Sequence, residues 1–179
     1  MAYIQFLGAA GTVTGSKHLI NTSDDPSGKG CFQVLIDCGL FQGPKEWRDR
    51  NWQDTPIPAR EIDAVVLTHA HLDHSGWIPR LVKGGFRGAI YATPSTIDLC
   101  GIMLPDSGHL QEEDAAFYNK IKKSKHSPAL PLYTLEEADN CLQYFVPCPL
   151  GLHNNFVPIF LSVLCRRPTS WARPWRKLP

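Results

Sequence analysis

The sequence predicts an α/β fold, or a layered αββα arrangement of helices and sheets, and three observations carry that prediction. Short apolar runs rich in β-branched residues alternate with helical segments up to about residue 145. The composition, with 43% hydrophobic and 20% charged residues, is typical of a soluble globular protein. A length of 179 residues allows one ordinary domain with a sizeable core, and neither an internal repeat nor a low-complexity segment interrupts it.

Five segments are predicted to be strands. Residues 3–8, YIQFLG, alternate in hydrophobicity and then meet a series of glycines, which indicates a strand followed by a tight turn. Residues 62–68, IDAVVLT, form the short β-branched run that is typical of a strand buried on both faces. The other three strands are residues 18–22 and 31–37, with DDPSGKG between them as a hairpin loop, and residues 89–92.

Four segments have helical spacing or a typical helix start, and they are predicted to be helices: residues 77–82, 96–104, 110–125 and 133–145. The first stops at the Gly84-Gly85 pair, and Pro94 stands just ahead of the second. In the last, Thr134 and Glu137 have the spacing of a capping box, in which each residue satisfies a backbone N–H of the other.

Charge and cysteine content narrow the classes of function. A net charge of +1 predicts no strong attraction to nucleic acid or membrane from bulk charge alone. The first residues lack the basic segment and the long apolar core of a secretory signal, and no run of about 18 apolar residues occurs. The six cysteines form no CxxC pair. We therefore expect a cytoplasmic protein with free thiols and without a membrane span.

The stretch Thr68–Trp77, THAHLDHSGW, places three of the seven histidines and one aspartate within six positions. His69 and His71 follow an apolar strand, and residues two apart on extended backbone point the same way, so both imidazoles can bind one ion. Asp73 and His74 come just past the turn and can reach a second ion. Neutral imidazole and carboxylate suit Zn²⁺, and Mn²⁺ or Fe also fits by ligand type. The alternative, a polar loop rich in histidine, is disfavoured by the position at a strand end.

The segment from His69 to His74, HAHLDH, resembles the HxHxDH signature of the metallo-β-lactamase fold. Four further segments resemble the bacterial and archaeal β-CASP branch of that family: FLGAAGTVTGS at 6–16, LIDCGLFQG at 35–43, HSGWIPRL at 74–81 and MLPDSGHLQEE at 103–113. That branch contains RNA-processing nucleases related to the cleavage subunit of the polyadenylation machinery. The resemblance covers residues 2–145 and implies a metallo-β-lactamase-type αββα sandwich, incomplete here because only its first half would be present.

The same resemblance implies roles for individual residues. His69 and His71 would bind one zinc ion, and Asp73 and His74 would bind the other. Asp73 would also orient the attacking water as a catalytic general base. Asp37 matches the first motif of the family, an acidic catalytic residue that supports the site. The alternative for Asp37 is an aspartate that serves only the turn at the end of its strand.

Residues 146–179 depart from this pattern. After Gly151 the chain has five Lys/Arg and no acidic residue, whereas residues 1–150 have thirteen Lys/Arg and all seventeen Asp/Glu. A complete β-CASP nuclease would need a further histidine, a bridging aspartate and an inserted β-CASP domain, and none of these is visible in the sequence. In a shifted codon frame, RPTSWARP at 167–174 can encode residues like the family's AHILGSA segment. Our hypothesis is that a reading-frame change near residues 146–152 produced an anomalous, poorly ordered tail, while residues 1–145 form the amino-terminal part of the metallo-β-lactamase domain.

The function expected from these observations is that of a zinc-dependent hydrolase that cleaves RNA phosphodiester bonds. The intact enzyme would bind two zinc ions and an RNA substrate, whereas this chain, as an amino-terminal fragment, is expected to hold one zinc ion or none and to be inactive. Two alternatives stay open. One is a metal-dependent hydrolase of small esters or thioesters, and the other is a non-catalytic metal-binding module.

Overall fold

The computed structural model describes residues 3–22, 32–122 and 128–148. Its strands are β1 (Tyr3–Phe6), β2 (His18–Asn21), β3 (Gln33–Ile36), β4 (Ala64–Val66), β5 (Ala89–Ala92) and β6 (Phe145–Pro147). They form one mixed sheet in which the strands lie side by side in chain order. β1, β2 and β3 pair antiparallel, and the pairs from β3 to β6 are parallel. The described residues therefore form the mixed α/β fold that the sequence predicts.

The α-helices of the described residues are α1 (Lys45–Arg48), α2 (Leu72–Ser75), α3 (Ile78–Lys83), α4 (Pro94–Ile121) and α5 (Leu135–Cys141). Short 3₁₀ turns cover Asp49–Trp52, Ala59–Glu61 and Leu142–Tyr144. The capping box predicted at the start of α5 is present, because the Thr134 hydroxyl accepts from the Glu137 N–H at 3.1 Å and the Glu137 carboxylate accepts from the Thr134 N–H at 3.0 Å. Within the described residues, no helix has the length and apolar character that a membrane span requires.

The main core lies between the sheet and one layer of helices. Leu35, Val65 and Ile90 point from the central strands into a fully buried cluster that includes Leu81 of α3 and Leu104 of α4. Burying side chains of this size contributes roughly 1.5–3 kcal/mol each, which makes this interface the main source of stability.

The opposite face of the sheet has a much smaller core. Val34 and Ala64 are buried there and pack only against other residues of the strands and their ends. Because neighbouring residues of a strand point to opposite faces, this second cluster comes from the alternate positions of the same strands. Among the described residues, no helix contributes to it. The described residues thus form one sheet with one helical layer.

The structure corrects two of the predicted elements. The segments 96–104 and 110–125 were expected to be separate helices, but α4 runs without a break from Pro94 to Ile121 and includes Pro105. A proline in a helix removes one hydrogen bond and its ring crowds the carbonyl four residues earlier, here that of Gly101. The side of Gly101 where a side chain would lie is open, which gives the backbone room to adjust. Residues 133–145 are predicted to form one helix, but the helix ends at Cys141. After α5 and a 3₁₀ turn, the chain enters β6.

The predicted tail lies almost entirely outside the described residues. Residues 146–148 are described, and Val146 pairs with Tyr91 of β5, so the sheet extends just past the predicted boundary at residue 145. Residues 149–179, which make up most of the tail attributed to the reading-frame change, are not described, and neither is the predicted hairpin loop at residues 24–30. The four cysteines of the described residues, Cys38, Cys100, Cys141 and Cys148, are buried free thiols.

Candidate metal centre

The predicted metal ligands lie where β4 gives way to α2. β4 ends at Val66, and the helix begins at Leu72, so His69 and His71 occupy the connecting loop while Asp73 and His74 lie in the first turn of α2. This loop is at the carboxyl end of a parallel strand, the edge at which α/β proteins usually place their sites.

Backbone hydrogen bonds hold the first turn of α2 against two other loops. They run from the N–H groups of Ser16, Cys38 and Leu40 to the carbonyl oxygens of Asp73 (2.8 Å), His74 (2.6 Å) and Leu72 (2.8 Å). The chains approach so closely that a Cβ atom on Gly39 would lie 1.6 Å from the Asp73 carbonyl oxygen. Only glycine fits at that position, and the LIDCGLFQG motif supplies it.

The imidazole rings of the three histidines lie against one another. The ring centroids of His69 and His74 are 4.1 Å apart, and those of His69 and His71 are 4.7 Å apart. His69 Nε2 is 3.2 Å from His71 Nδ1, and His74 Nε2 is 3.5 Å from Asp73 Oδ2. His71 is exposed and the other three side chains are half-buried, so the cluster faces solvent on one side.

Asp37 lies beneath this cluster, at the end of β3. Its side chain is buried, with 3% of the residue exposed. Its Oδ2 accepts a hydrogen bond from Nδ1 of His74 at 2.8 Å, and its Oδ1 accepts from both the N–H and the hydroxyl of Thr68 at 2.8 Å. The Ser16 hydroxyl also donates to it at 3.3 Å. The buried carboxylate therefore has a partner for each oxygen, as a buried charge requires.

These contacts assign the free nitrogen of two rings. His74 uses Nδ1 toward Asp37, which leaves its Nε2 free to bind a cation. The Thr68 hydroxyl, which donates to Asp37, lies 3.0 Å from Nδ1 of His69 and accepts the ring proton there, so that Nε2, which faces Nδ1 of His71, is the unprotonated nitrogen of His69. In metal sites, hydrogen bonds of this kind fix the tautomer and the orientation of the ligand.

The side chains fit a divalent metal by type and proximity, but their donor atoms are not yet arranged around one point. Within the described residues, no group of three or more His, Cys, Asp or Glu side chains has its donors placed as a metal site. Partial burial, together with the neighbouring rings of His74 and His71, lowers the pKa of His69 and favours the neutral imidazole that binds metals.

The residues singled out from the sequence are thus brought together at one place. His69, His71, Asp73 and His74 form the cluster, and Asp37 contacts it from a strand more than thirty positions earlier. Their roles as ligands and catalytic groups remain predictions. Thr68, which has no predicted role, links Asp37 to His69. Its position directly before the HxHxDH segment is the sequence feature that could have indicated this contact.

Residues 30–92 match the model of the metallo-β-lactamase superfamily. Ribonuclease TTHA0252 of Thermus thermophilus is 45% identical over 106 residues, which are 59% of this chain and 22% of that protein. The transcription termination factor FttA of Methanococcus maripaludis is 32% identical over 127 residues, which are 70% of this chain and 18% of that protein. The chain thus spans about a fifth of the length of these relatives.

Solved structures to which this chain is similar include a metallo-β-lactamase of Cronobacter sakazakii that carries a HARLDQ motif. It matches 56% of this chain and 34% of its own length, with a TM-score of 0.37 and 22% sequence identity.

Proposed function

We propose that this chain is part of a metal-dependent hydrolase of the metallo-β-lactamase superfamily that cleaves RNA phosphodiester bonds. The observation that carries the proposal is the cluster of three histidines and Asp73, in which His74 binds the buried Asp37. The similarity of this chain to proteins named as a ribonuclease and as a transcription termination factor favours RNA over small esters as the substrate. We further propose that the protein acts in the cytoplasm.

The proposed ligands are His69 and His71 for one zinc ion and Asp73 and His74 for another. A zinc ion bound there would supply a Lewis acid and lower the pKa of a bound water. Asp37 holds the His74 ring so that Nε2 faces the cluster, and Thr68 does the same for His69. Asp73 has a half-exposed carboxylate beside Nε2 of His74 and is the proposed proton acceptor for the attacking water.

We propose that turnover needs more metal donors than this cluster supplies. The proposed ligands in this chain amount to two side chains for each of two ions, whereas a catalytic zinc ion has three protein ligands as a rule. We therefore expect this chain to bind one zinc ion through the histidine loop and to cleave RNA weakly or not at all when it is alone.

The test measures zinc binding by the full chain. Mass spectrometry after dialysis should find one zinc ion per chain, and calorimetry should show that His69→Ala and His71→Ala each lose it. His109→Ala is the matched control, because His109 is an exposed histidine of α4 that pairs with Glu113 outside the cluster. An unaltered zinc content in His69→Ala, or a lack of zinc in the wild type, would refute the metal proposal.

The second measurement concerns the substrate. A chain extended to the length of its relatives should cleave labelled RNA, and His69→Ala should abolish the cleavage. Hydrolysis of a thioester without cleavage of RNA would instead indicate the small-ester alternative.

A further inference from the structure

A cavity of about 290 Å³ is lined in part by residues of β1. None of the predicted ligands is among its lining residues. Its walls come from β1 and the residues after it, from the segment 50–56, and from the side chains of Lys17, Phe41 and Trp77. This volume is at the lower limit of typical small-molecule sites and admits a small polar group with a short attachment.

Lys17 is the unusual residue of this cavity. Only 5% of it is exposed, although a lysine is rarely buried without an opposite charge. Its Nζ lies 4.8 Å from the ring centroids of both Phe41 and Trp77. Within the described part of the chain, this ammonium has neither a hydrogen bond nor an ion pair. Two aromatic faces compensate in part for the loss of water and leave the charge without a counter-ion.

A second cation, Arg50, lines the same cavity. Its guanidinium carbon lies 4.4 Å above the Phe41 ring, and the proximity of the two cations is one reason why the pKa of Lys17 is low. The one acidic side chain in the lining, Asp54, is exposed and pairs with Arg80 at 3.1 Å. The cavity therefore has an excess of positive charge that the described residues do not neutralise.

Burial, more than any other cause, lowers the pKa of Lys17 to about 8. The amine is thus still charged at neutral pH, and an anion beside it would raise its pKa again.

We propose that this cavity binds a phosphate group, held between the ammonium of Lys17 and the guanidinium of Arg50. A tetrahedral oxyanion suits this pair, because the planar guanidinium donates two parallel hydrogen bonds and the ammonium adds a compact charge. The phosphate is either free or the terminal group of a nucleotide or RNA chain. This site is separate from the metal centre and does not depend on the proposed hydrolase activity.

Calorimetry with the full chain tests the proposal. The buffer contains a chelator and constant ionic strength, so that neither metal-bound phosphate nor general salt effects contribute. Inorganic phosphate, adenosine 5′-monophosphate and a short 5′-phosphorylated RNA are titrated separately. Binding of all three supports the proposal, and the tightest of them identifies the source of the phosphate. Absence of binding by all three at millimolar concentration overturns it.

Three variants locate the binding. Lys17→Met, which keeps the apolar stem, should lower the affinity at least tenfold, and Arg50→Gln, a surface change, should lower it several-fold by the loss of charged hydrogen bonds. Arg48→Gln, an exposed neighbour outside the lining, should stay within about twofold of the wild type. Phosphate binding that survives both Lys17→Met and Arg50→Gln would overturn the proposal even if one of them folded poorly.

A direct readout comes from the lysine itself. NMR of the Lys17 side chain should show its pKa rising from about 8 when phosphate saturates the site. The same titration on His69→Ala should give an unchanged result, because the metal centre is not part of the site. An unchanged Lys17 pKa in the presence of bound phosphate would place the anion elsewhere and contradict the proposal.

Discussion

Asp37 combines two roles that the sequence presented as alternatives. Its φ angle of 58° lies in the left-handed region, where aspartate and asparagine are tolerated better than most residues, so it does form the turn at the end of β3. Its carboxylate also accepts from His74 and Thr68, so it contacts the proposed metal ligands. The same backbone conformation that turns the chain aims the side chain at the cluster.

Substitution of Asp37 should therefore affect stability and zinc binding together. Asp37→Asn keeps the backbone conformation but brings an amide N–H₂ toward a partner that donates, so we expect a loss of about 1–3 kcal/mol in the free energy of unfolding. Zinc affinity should fall roughly 10–100-fold, as for other partners of metal-binding histidines. Urea unfolding and zinc titration measure both effects. Asp63→Asn is the control, since Asp63 accepts the Gln33 N–H near β3 but lies outside the cluster.

Lys17→Met should make the protein more stable at neutral pH. Burial lowers the pKa of the amine from 10.5 to about 8, which corresponds to a cost of about 3 kcal/mol for keeping it charged in the fold. Below about pH 8 the amine is charged in both states, and the wild type bears the whole cost. Between pH 8 and 10.5 the folded chain releases the proton before the unfolded chain does, so the wild type gains stability with rising pH.

The measurement is the difference in unfolding free energy between Lys17→Met and the wild type across pH 7–10.5, without phosphate. The variant should be more stable at pH 7, and the difference should shrink above pH 8. Lys45→Met, at an exposed lysine that pairs with Asp49, should show no such trend. A difference that is constant with pH would mean that Lys17 is not desolvated.

At the scale of elements, α4 shows how two glycines in one helix serve opposite purposes. A Cβ atom at Gly101 would meet nothing within 4 Å, so no close contact requires a glycine here, and the glycine adds freedom to the unfolded chain. A Cβ atom at Gly108 would lie 2.7 Å from the Thr134 carbonyl oxygen, at the point where α5 begins. Gly108 thus allows α4 and α5 to pack closely, beside the hydrogen bond of 2.9 Å between the hydroxyls of Ser107 and Tyr133.

The two alanine substitutions should have opposite signs. Gly101→Ala should raise the free energy of unfolding by about 0.5–1 kcal/mol, because alanine favours the helix and meets open space. Gly108→Ala should lower it by about 1–3 kcal/mol, because the backbone of residue 134 must move away. Chemical denaturation of the two variants in parallel tests the pair. A loss of stability in Gly101→Ala would show that the helix is strained at Pro105.

At the scale of the whole molecule, what could be predicted from the sequence depends on how local the signal is. The strands at 3–8, 18–22 and 89–92 are short and strongly patterned, and they were predicted to within two residues. The histidine cluster is also local, since its members lie within six positions. The contact of Asp37 with that cluster depends on the parallel pairing of β3 and β4, so it could be anticipated only through the family resemblance.

The features that were missed depend on tertiary packing. β6 has only three residues and forms because β5 offers an unpaired edge, which no pattern in its own sequence reveals. The buried state of Lys17 was missed for a similar reason. Lysine is normally exposed, and its position under Phe41 and Trp77 follows from the meeting of three separate segments. Helix α4 runs through Pro105 and joins the segments 96–104 and 110–125, which are predicted as separate helices.

The buried thiols should limit the stability of the whole fold at alkaline pH. Burial raises the pKa of Cys141 from 9.0 to about 12, and the nearby groups Cys100, Asp139 and Cys38 raise it further by their negative charge. Below pH 9 the thiol is protonated in both states and has no effect. Between pH 9 and 12 the unfolded chain loses the proton and the folded chain keeps it, so stability falls, by about 2 kcal/mol at pH 10.5 for this one thiol.

Cys141→Ala separates this effect from packing. At pH 7.5 the variant should be less stable than the wild type by about 1–2 kcal/mol, because it leaves a small cavity in the core between the helices and the sheet. At pH 10.5 the wild type has lost a similar amount through its thiol and the variant has not, so the difference should vanish or reverse. Urea unfolding in the presence of a reductant measures both values. Equal differences at the two pH values would mean that the folded state releases the Cys141 proton as readily as the unfolded chain, and that water reaches the space between α4, α5 and the sheet.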